Sequence, residues 1–276
     1  MRGRRAANFT FERSLMPLLQ QIAIPLRHIK RRVLLELNRP TNFGKTDLVH
    51  IISKRLRLIN YLEVCTSLTG KKYAEIYRAR FRTARRLMYN CPETFDDGLP
   101  IDYRIVGFDI ADAINKLKHD VGKVDICLVD GWHTYDCASR DLSCAYELLA
   151  DGGVLVVHDC LPPTEVIASP TWVPGNDWSG VSYRSYVDFV LSRGDLDYCT
   201  VDIDYGCGII FKNRSITVAD DALLSREPKL VTDWFAVHND DQIAFRFFTR
   251  NDRQLLRLIP AKAFVRRLDR NLIKPL

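Results

Sequence analysis

The sequence lacks several features that would assign it to a common class. No apolar run approaches the roughly 20 residues that a membrane-spanning helix requires. The basic start is not followed by an apolar stretch with a small-residue cleavage site, so we expect no secretory signal. None of the eight cysteines forms a CxxC pair, which argues against a zinc site of the usual spacing. Reduced thiols in a cytoplasmic protein are the simplest interpretation of these cysteines.

Net positive charge is confined to the first part of the chain. Residues 1–57 hold thirteen Lys and Arg against three Asp and Glu, a net charge of +10, whereas the remainder carries −4. Enzymes of nucleic acids usually carry positive charge around the site, so we do not expect a nucleic-acid substrate.

Apolar residues recur at near-helical spacing over 12–37, interrupted by Pro17 and Pro25. We interpret residues 1–43 as a basic helical arm. It could pack on the main domain or on a second subunit, or lie on a membrane surface.

Strand-like and helix-like segments alternate over residues 44–214. Val124–Val129, apolar apart from Asp125, and the continuously apolar run Val154–Val157 are typical of parallel strands covered by helices on both faces. The sequence therefore predicts a doubly wound α/β domain here, followed by a mostly helical extension over 215–276. Residues 161–180 form a long, proline-rich and aromatic stretch, and loops of this kind are usually lids or binding loops.

Polar residues stand at the ends of three predicted strands. Glu63 leads into the small-residue loop 65–70, where backbone N–H groups ahead of a helix suit a carboxylate or phosphate. Asp130 and His133 follow one apolar strand and Asp159 follows the next. If these strands are neighbours, both carboxylates could hold one cation or one hydroxyl, since such a pair needs compensating charge. Helix capping is the alternative role for each aspartate.

The run VDICLVDGWHTYDCASRDLSCAYELLADGGVLVVHDC at 124–160 combines D-G-x-H-x-Y with G-G-x-x-x-x-H-D. This pair of motifs resembles class I S-adenosylmethionine-dependent methyltransferases, in a subgroup similar to methyltransferase family 24. The segment 204–208, which follows a Trp-x-Gly sequence, adds to the resemblance, and the similarity covers about residues 45–212. The resemblance implies a Rossmann-like, mostly parallel, seven-stranded sheet, with S-adenosylmethionine across the ends of its first strands.

The resemblance also implies site residues, position by position. In metal-using relatives the carboxylates that match Asp130 and Asp159 bind a divalent cation such as Mg²⁺, and the histidine that matches His133 is the general base. By strand alternation, His158 should point to the other side of the sheet from Asp159 and have a structural role. The residues implied in cofactor binding are Glu63, Thr66, Ser67, Gly70, Asn90, Asp109 and Asp130.

Two departures from the family pattern affect the cofactor site. The loop at 65–70 is poorer in glycine than in relatives. The second strand ends in Tyr89 and Asn90, without the acid that usually takes both ribose hydroxyls. Asn90 could bond one hydroxyl as a neutral substitute.

We therefore predict O-methylation of a small molecule or a sugar, assisted by Mg²⁺, with His133 taking the proton from the acceptor hydroxyl. Two alternatives stay open. The glycine-poor loop and Asn90 favour a degenerate, non-catalytic cofactor-binding protein of the same fold. A nicotinamide-linked oxidoreductase would use the same sheet, but G-x-G-x-x-G is missing. The basic arm could also join copies of the chain into a homo-oligomer.

Overall fold

A computed structural model of the chain describes residues 43–66, 70, 73–77, 81–90, 98–107, 110–172, 175, 177–194, 196–216, 227–269 and 273–275. The predicted arm at 1–43 lies outside these residues apart from Phe43, so its helix stays a prediction. Within the described segments, no helix has the length and apolar character needed to cross a membrane.

Strands and helices alternate through most of the described chain. The strands are β1 (Asn60–Thr66), β2 (Thr83–Tyr89), β3 (Tyr103–Ile105), β4 (Val124–Asp130), β5 (Leu149–Val157), β6 (Asp197–Val201), β7 (Cys207–Phe211), β8 (Arg214–Ile216), β9 (Leu258–Ile259) and β10 (Ile273–Pro275). The helices are α1 (Lys45–Leu56), α2 (Tyr73–Tyr77), α3 (Ala111–Val121), α4 (Tyr135–Leu148), α5 (Ser182–Leu191), α6 (Pro228–Val237), α7 (Asp241–Leu255) and α8 (Ala261–Asp269).

The main sheet has the strand order β3-β2-β1-β4-β5-β7-β6-β9, and β8 and β10 form a separate antiparallel pair. The first five strands in this order, from β3 through β2, β1 and β4 to β5, are mutually parallel. Strand β7 runs antiparallel to both β5 and β6. This arrangement confirms the predicted doubly wound, mostly parallel sheet. The sheet has eight strands rather than the predicted seven, because the two residues of β9 pair with β6.

Apolar side chains fill a core on each face of the sheet. Successive residues of a strand point to opposite faces, so Leu62 and Val64 of β1 join one core and Tyr61 joins the other. Helices α3, α4, α5, α6 and α7 cover the first face, and α1, α2 and α8 cover the second. Both faces of the central strands are therefore closed to water, and polar groups can reach solvent or a ligand only at the strand ends.

The C-terminal helices are tied to the α/β domain by one buried carboxylate. Asp188 of α5 accepts hydrogen bonds from Tyr135 Oη at 2.7 Å and Trp234 Nε1 at 2.5 Å. The Nδ1 atom of His238 lies 2.9 Å from the same carboxylate.

The predicted division between an α/β domain and an extension that begins at residue 215 stays a prediction.

The parallel register brings the carboxyl ends of four strands to one edge. Cys65 of β1 lies opposite both Met88 of β2 and Asp130 of β4, and Val129 lies opposite Val157 at the end of β5. In open parallel sheets, ligands bind outside these ends, where the strand order reverses. Here the order reverses between β1 and β4.

Candidate active site

Four polar side chains meet where β4 and β5 end. His133 Nε2 lies 3.4 Å from Asp130 Oδ1 and 3.4 Å from Asp159 Oδ2, and His158 Nδ1 lies 3.3 Å from the same two oxygens. All four residues are buried. The structure therefore brings Asp130, His133 and Asp159 together, as the strand-end pattern predicts, while their chemical roles stay predictions.

The prediction that His158 points away from Asp159 is wrong. Strand β5 ends at Val157, and Asp159 has a φ of +61°, so strand alternation does not continue past the end of β5. The imidazole of His158 turns toward the carboxylates instead. Its other nitrogen, Nε2, lies 3.5 Å from Asp204 Oδ2 in the turn between β6 and β7.

Lys45 is a further member of the site, and the sequence pattern did not indicate it. Its ammonium forms an ion pair with Asp130 Oδ2, and its backbone N–H donates to Asp204 Oδ2 at 3.2 Å. Lys45 lies 85 residues before Asp130 in the chain. Nothing in the sequence distinguishes it from the other basic residues of the first 57, and only the packing of α1 against the sheet brings it here.

The charges in this group compensate one another. Burial raises the pKa of Asp130, but Lys45 and His158 outweigh it and hold that pKa well below its usual range. Burial lowers the pKa of both histidines, yet Asp159 and Asp130 hold the pKa of His133 and of His158 above the ordinary value. The carboxylates thus have cationic neighbours within the protein, so a metal ion is one source of compensation and not the sole one.

The orientation of His133 is set by the loop that precedes α5. Its Nδ1 lies 2.8 Å from the carbonyl oxygen of Trp178, and a carbonyl can only accept, so Nδ1 carries a proton and donates it. Nε2 is left facing Asp130 and Asp159. The ring of Trp178 lies 5.4 Å from the rings of both His133 and Trp132. The predicted binding loop at 161–180 therefore contacts the site.

Gly180 allows this loop to approach His133 closely. Its φ is +55°, and a Cβ atom there would lie 2.2 Å from the carbonyl oxygen of His133. We expect Gly180→Ala to lower the midpoint of thermal unfolding strongly and to displace His133. Gly175→Ala is the matched control, because Gly175 also has a positive φ of +85° but no neighbour within 4 Å. The control should cost only the backbone strain, about 1–2 kcal/mol. Equal destabilisation of the two variants would contradict the close approach.

Thr66 and Asn90 lie at the edge where the cofactor is predicted to bind. Thr66 ends β1 opposite Tyr89, the last residue of β2. Asn90 has a φ of +42°, and its Oδ1 accepts a hydrogen bond from the N–H of Gly107 at 3.1 Å. The amide N–H groups of Asn90 are then the donors that it can offer to a ligand. Ser67 and Asp109, two further predicted cofactor residues, lie outside the described residues.

Glu63 and Gly70 have structural contacts of their own. Glu63 is buried within β1, where it accepts a hydrogen bond from the hydroxyl of Tyr61 at 2.7 Å, and burial raises its pKa to about 7. A Cβ atom on Gly70 would lie 2.7 Å from Cys65 Sγ and 3.2 Å from Met88 Cε. Gly70 therefore permits the chain to pack closely on Cys65. Its role in cofactor binding stays a prediction.

A cavity opens beside the four polar side chains. It is small and partly open to solvent, and it lies between the end of β4 and helix α4. Asp141 of α4 forms its floor: one carboxylate oxygen accepts from Tyr89 Oη at 2.5 Å, and the other has no hydrogen-bond partner. Burial raises the pKa of Asp141 to about 7. The other lining residues are Val129, Asp130, Gly131, Trp132, His133, Ala138, Leu142, Val157, His158 and Ser182.

The site also has the composition of a metal centre. Asp130, His133 and Asp159 each offer one ligand atom, and these atoms lie within 4.8 Å of one another. Carboxylate oxygens are ligands that suit Mg²⁺, and an imidazole nitrogen suits transition metals. The residues present therefore fit a divalent cation.

Comparison with known proteins gives one match at the level of a family. Residues 53–160 match the family model of a methyltransferase domain. No curated protein sequence matches the chain significantly.

Several solved structures are similar in fold at low identity. An O-methyltransferase from Bacillus cereus in complex with S-adenosylhomocysteine is 13% identical, over 68% of this chain and 89% of that chain, with a TM-score of 0.44. A methyltransferase from Podospora anserina bound to S-adenosylhomocysteine is 15% identical, over 76% and 98%, with a TM-score of 0.42. An O-methyltransferase of tomaymycin synthesis from Streptomyces achromogenes, in complex with S-adenosylmethionine, is 16% identical, over 68% and 89%, with a TM-score of 0.45.

Proposed function

We propose that this chain is an S-adenosylmethionine-dependent methyltransferase that methylates a hydroxyl oxygen of a small molecule or a sugar. The match of residues 53–160 to a methyltransferase domain supports the methyl-transfer part of this proposal. One observation carries the proposal. The Nδ1–H of His133 is held by the carbonyl of Trp178, and Nε2 faces Asp130 and Asp159 at the carboxyl edge of the sheet. A base in this position suits an acceptor that must lose a proton, as a hydroxyl does.

The cofactor belongs at the ends of β1, β2 and β4. Thr66, Asn90 and Asp130 stand at these ends, and the strand order reverses beside them. When bound, S-adenosylmethionine supplies an electrophilic methyl group on a sulfonium. Asn90 can donate from its amide to one ribose hydroxyl, and Thr66 offers a hydroxyl and a backbone N–H at the adjacent strand end.

The acceptor belongs beside His133. In its neutral form, His133 takes the acceptor proton at Nε2, while the carbonyl of Trp178 keeps the ring in this tautomer. The ring of Trp178 lies beside the imidazole and contacts the ring of Trp132, which gives the acceptor an apolar surface next to His133. Because the donor already has a good leaving group, alignment of the acceptor oxygen should supply most of the rate.

A divalent cation is part of the proposal. Asp130 and Asp159 would hold it, and Mg²⁺ is the ion that two carboxylates and water suit. When bound, it would lower the pKa of a coordinated hydroxyl and fix its position.

A non-catalytic cofactor-binding protein is the second candidate. The contact of Gly70 with Cys65 and the neutral Asn90 in place of an acid favour it. Such a protein would bind the cofactor without turnover. The match of residues 53–160 to a methyltransferase domain favours methyl transfer over the nicotinamide-linked alternative.

Calorimetry with S-adenosylhomocysteine tests the cofactor site. We expect the purified chain to bind this ligand and Asn90→Asp to bind it about tenfold more tightly, because a charged acceptor bonds ribose hydroxyls more strongly. The substitution keeps the acceptor that Gly107 needs and tolerates the positive φ. Asn90→Leu is the opposite control, because leucine cannot form a hydrogen bond with the ribose, and it should bind S-adenosylhomocysteine more weakly. Absence of heat from a folded wild-type protein would exclude the proposed function.

Transfer of a labelled methyl group then separates the two candidates. The chain is incubated with methyl-labelled S-adenosylmethionine and pools of sugars, phenols and aliphatic alcohols. We expect formation of an ether that resists mild base, which distinguishes an O-methyl ether from a methyl ester. Binding without transfer to any pool would favour the non-catalytic candidate.

The predicted cytoplasmic location is retained in the proposal. All seven cysteines within the described segments are free thiols, as expected of a reducing compartment. Contact of the basic arm with a subunit or an anionic membrane stays a prediction.

A further inference from the structure

We propose that His158 is a metal ligand, and that Asp130, Asp159 and His158 together bind a transition-metal ion such as Mn²⁺ in preference to Mg²⁺. The inference rests on the proposed function, whose cation it specifies. It assigns the two histidines different roles, with His158 on the metal and His133 left as the base.

The first observation is that both ring nitrogens of the buried His158 lie near carboxylates without forming a hydrogen bond of acceptable geometry. Only 7% of the residue is exposed, and neither Nδ1 nor Nε2 has a hydrogen-bond partner of acceptable geometry. A buried polar group without a well-formed hydrogen bond keeps an uncompensated desolvation cost. A coordinate bond from Nδ1 to a metal would relieve that cost, and the ring already points Nδ1 at both carboxylates.

The second observation is the spacing of the donor atoms. His158 Nδ1 is 3.3 Å from Asp130 Oδ1 and 3.3 Å from Asp159 Oδ2. Two ligands on one ion, each at about 2.1 Å from it, lie about 3.0–3.4 Å apart in octahedral or tetrahedral geometry. Each carboxylate oxygen therefore lies at the distance from His158 Nδ1 that neighbouring ligands of one ion have.

The third observation is the support around these atoms. Asp204 Oδ2 lies 3.5 Å from His158 Nε2, and a carboxylate behind a ligating histidine is a common arrangement in metal sites. Lys45 pairs with Oδ2 of Asp130, so Oδ1 is the oxygen that faces His158. The outer contacts thus fix the ring of His158 and one carboxylate in ligating orientations.

His133 differs from His158 in what surrounds it. Its Nδ1 has a partner at 2.8 Å, the carbonyl of Trp178, and its ring packs on the aromatic loop where the acceptor is proposed to bind. His158 instead has a carboxylate, that of Asp204, beside its Nε2 atom. This asymmetry leads us to assign coordination to His158 and proton transfer to His133.

The donor set determines the metal. Mg²⁺ prefers oxygen ligands and retains several waters, whereas an imidazole nitrogen suits transition metals. One nitrogen and two carboxylate oxygens therefore favour Mn²⁺, Fe²⁺ or Co²⁺ over Mg²⁺.

Electron paramagnetic resonance of Mn²⁺ added to the full-length chain tests the assignment without any acceptor. We expect stoichiometric binding, at least tenfold tighter than that of Mg²⁺ in competition. The spin-echo modulation should show coupling to a ¹⁴N nucleus of a coordinated imidazole. His133→Ala should retain this coupling, and His158→Ala and His158→Gln should lose it and weaken Mn²⁺ binding at least tenfold. His238→Ala, a histidine outside the site, should behave as wild type.

Three results would overturn the proposal: coupling that persists in both folded His158 variants, coupling that disappears with His133 instead, or Mn²⁺ binding no tighter than that of Mg²⁺. Calorimetry with S-adenosylhomocysteine on the same samples separates this failure from failure of the proposed function. A chain that binds the cofactor product but shows no nitrogen coupling retains the proposed function and loses the metal assignment.

Discussion

Replacement of His133 by alanine should lower the rate of methyl transfer by about 10²–10⁴-fold, the usual contribution of a positioned general base. The affinity for S-adenosylhomocysteine should change little, because His133 lies on the acceptor side of the site. Asp159 and Asp130 hold the pKa of His133 above its ordinary value. A base must be deprotonated to act, so the wild-type rate should fall as the pH drops through a value above 6.5, and the variant should lose this inflection.

The control for this experiment is His238→Ala. His238 is partly buried and contacts Asp188, so the same substitution there probes a histidine that belongs to the packing of the C-terminal helices. Its rate and pH profile should match those of wild type. A His133 variant that keeps the wild-type profile would exclude His133 as the base, even if its rate were lower.

The substitution Asp130→Asn is expected to lower the free energy of unfolding by about 3–5 kcal/mol. It leaves the ammonium of Lys45 in the interior without its carboxylate, and an unpaired buried charge is costly. The double variant Lys45→Met, Asp130→Asn removes both charges and should regain much of this loss. Urea unfolding of the wild type, both single variants and the double variant gives the coupling energy.

An exposed ion pair provides the matched control. Lys229 and Asp233 pair at 2.7 Å on α6, and both side chains reach solvent. Asp233→Asn should cost no more than about 1 kcal/mol, as is usual for surface pairs. If Asp130→Asn costs as little as Asp233→Asn, or if Lys45→Met brings no recovery, the ion pair does not have the stabilising role assigned to it.

The sequence was sufficient to predict the centre of the sheet and the part of the site that follows it. The central parts of β4 and β5, Ile126–Val129 and Val154–Val157, are continuously apolar because both their faces are covered. Such short apolar runs between helical segments are typical of parallel strands. Asp130 and Asp159 stand at or just after the ends of these strands, so their proximity follows from the parallel register. Each aspartate lies within two residues of the last apolar residue of its strand, so a small error in the predicted strand end does not change its predicted position.

The other parts of the fold and of the site depend on packing between distant segments, which no local sequence pattern encodes. Lys45 reaches Asp130 from a helix 85 residues earlier. The directions of His158 and Asp159 relative to each other depend on the positive φ of Asp159, which a residue type alone does not reveal. Strand β9 has only two residues between two helices, too short for a period of two to be recognised.

The position of β9 has a consequence for synthesis of the chain. Strand β6 is made before β7, yet it joins the sheet only through β7 on one side and β9 on the other. Its outer edge therefore stays open until Leu258 and Ile259 have left the ribosome. Open strand edges are templates for pairing between chains, so nascent chains that stall before these residues should be the ones most prone to aggregate.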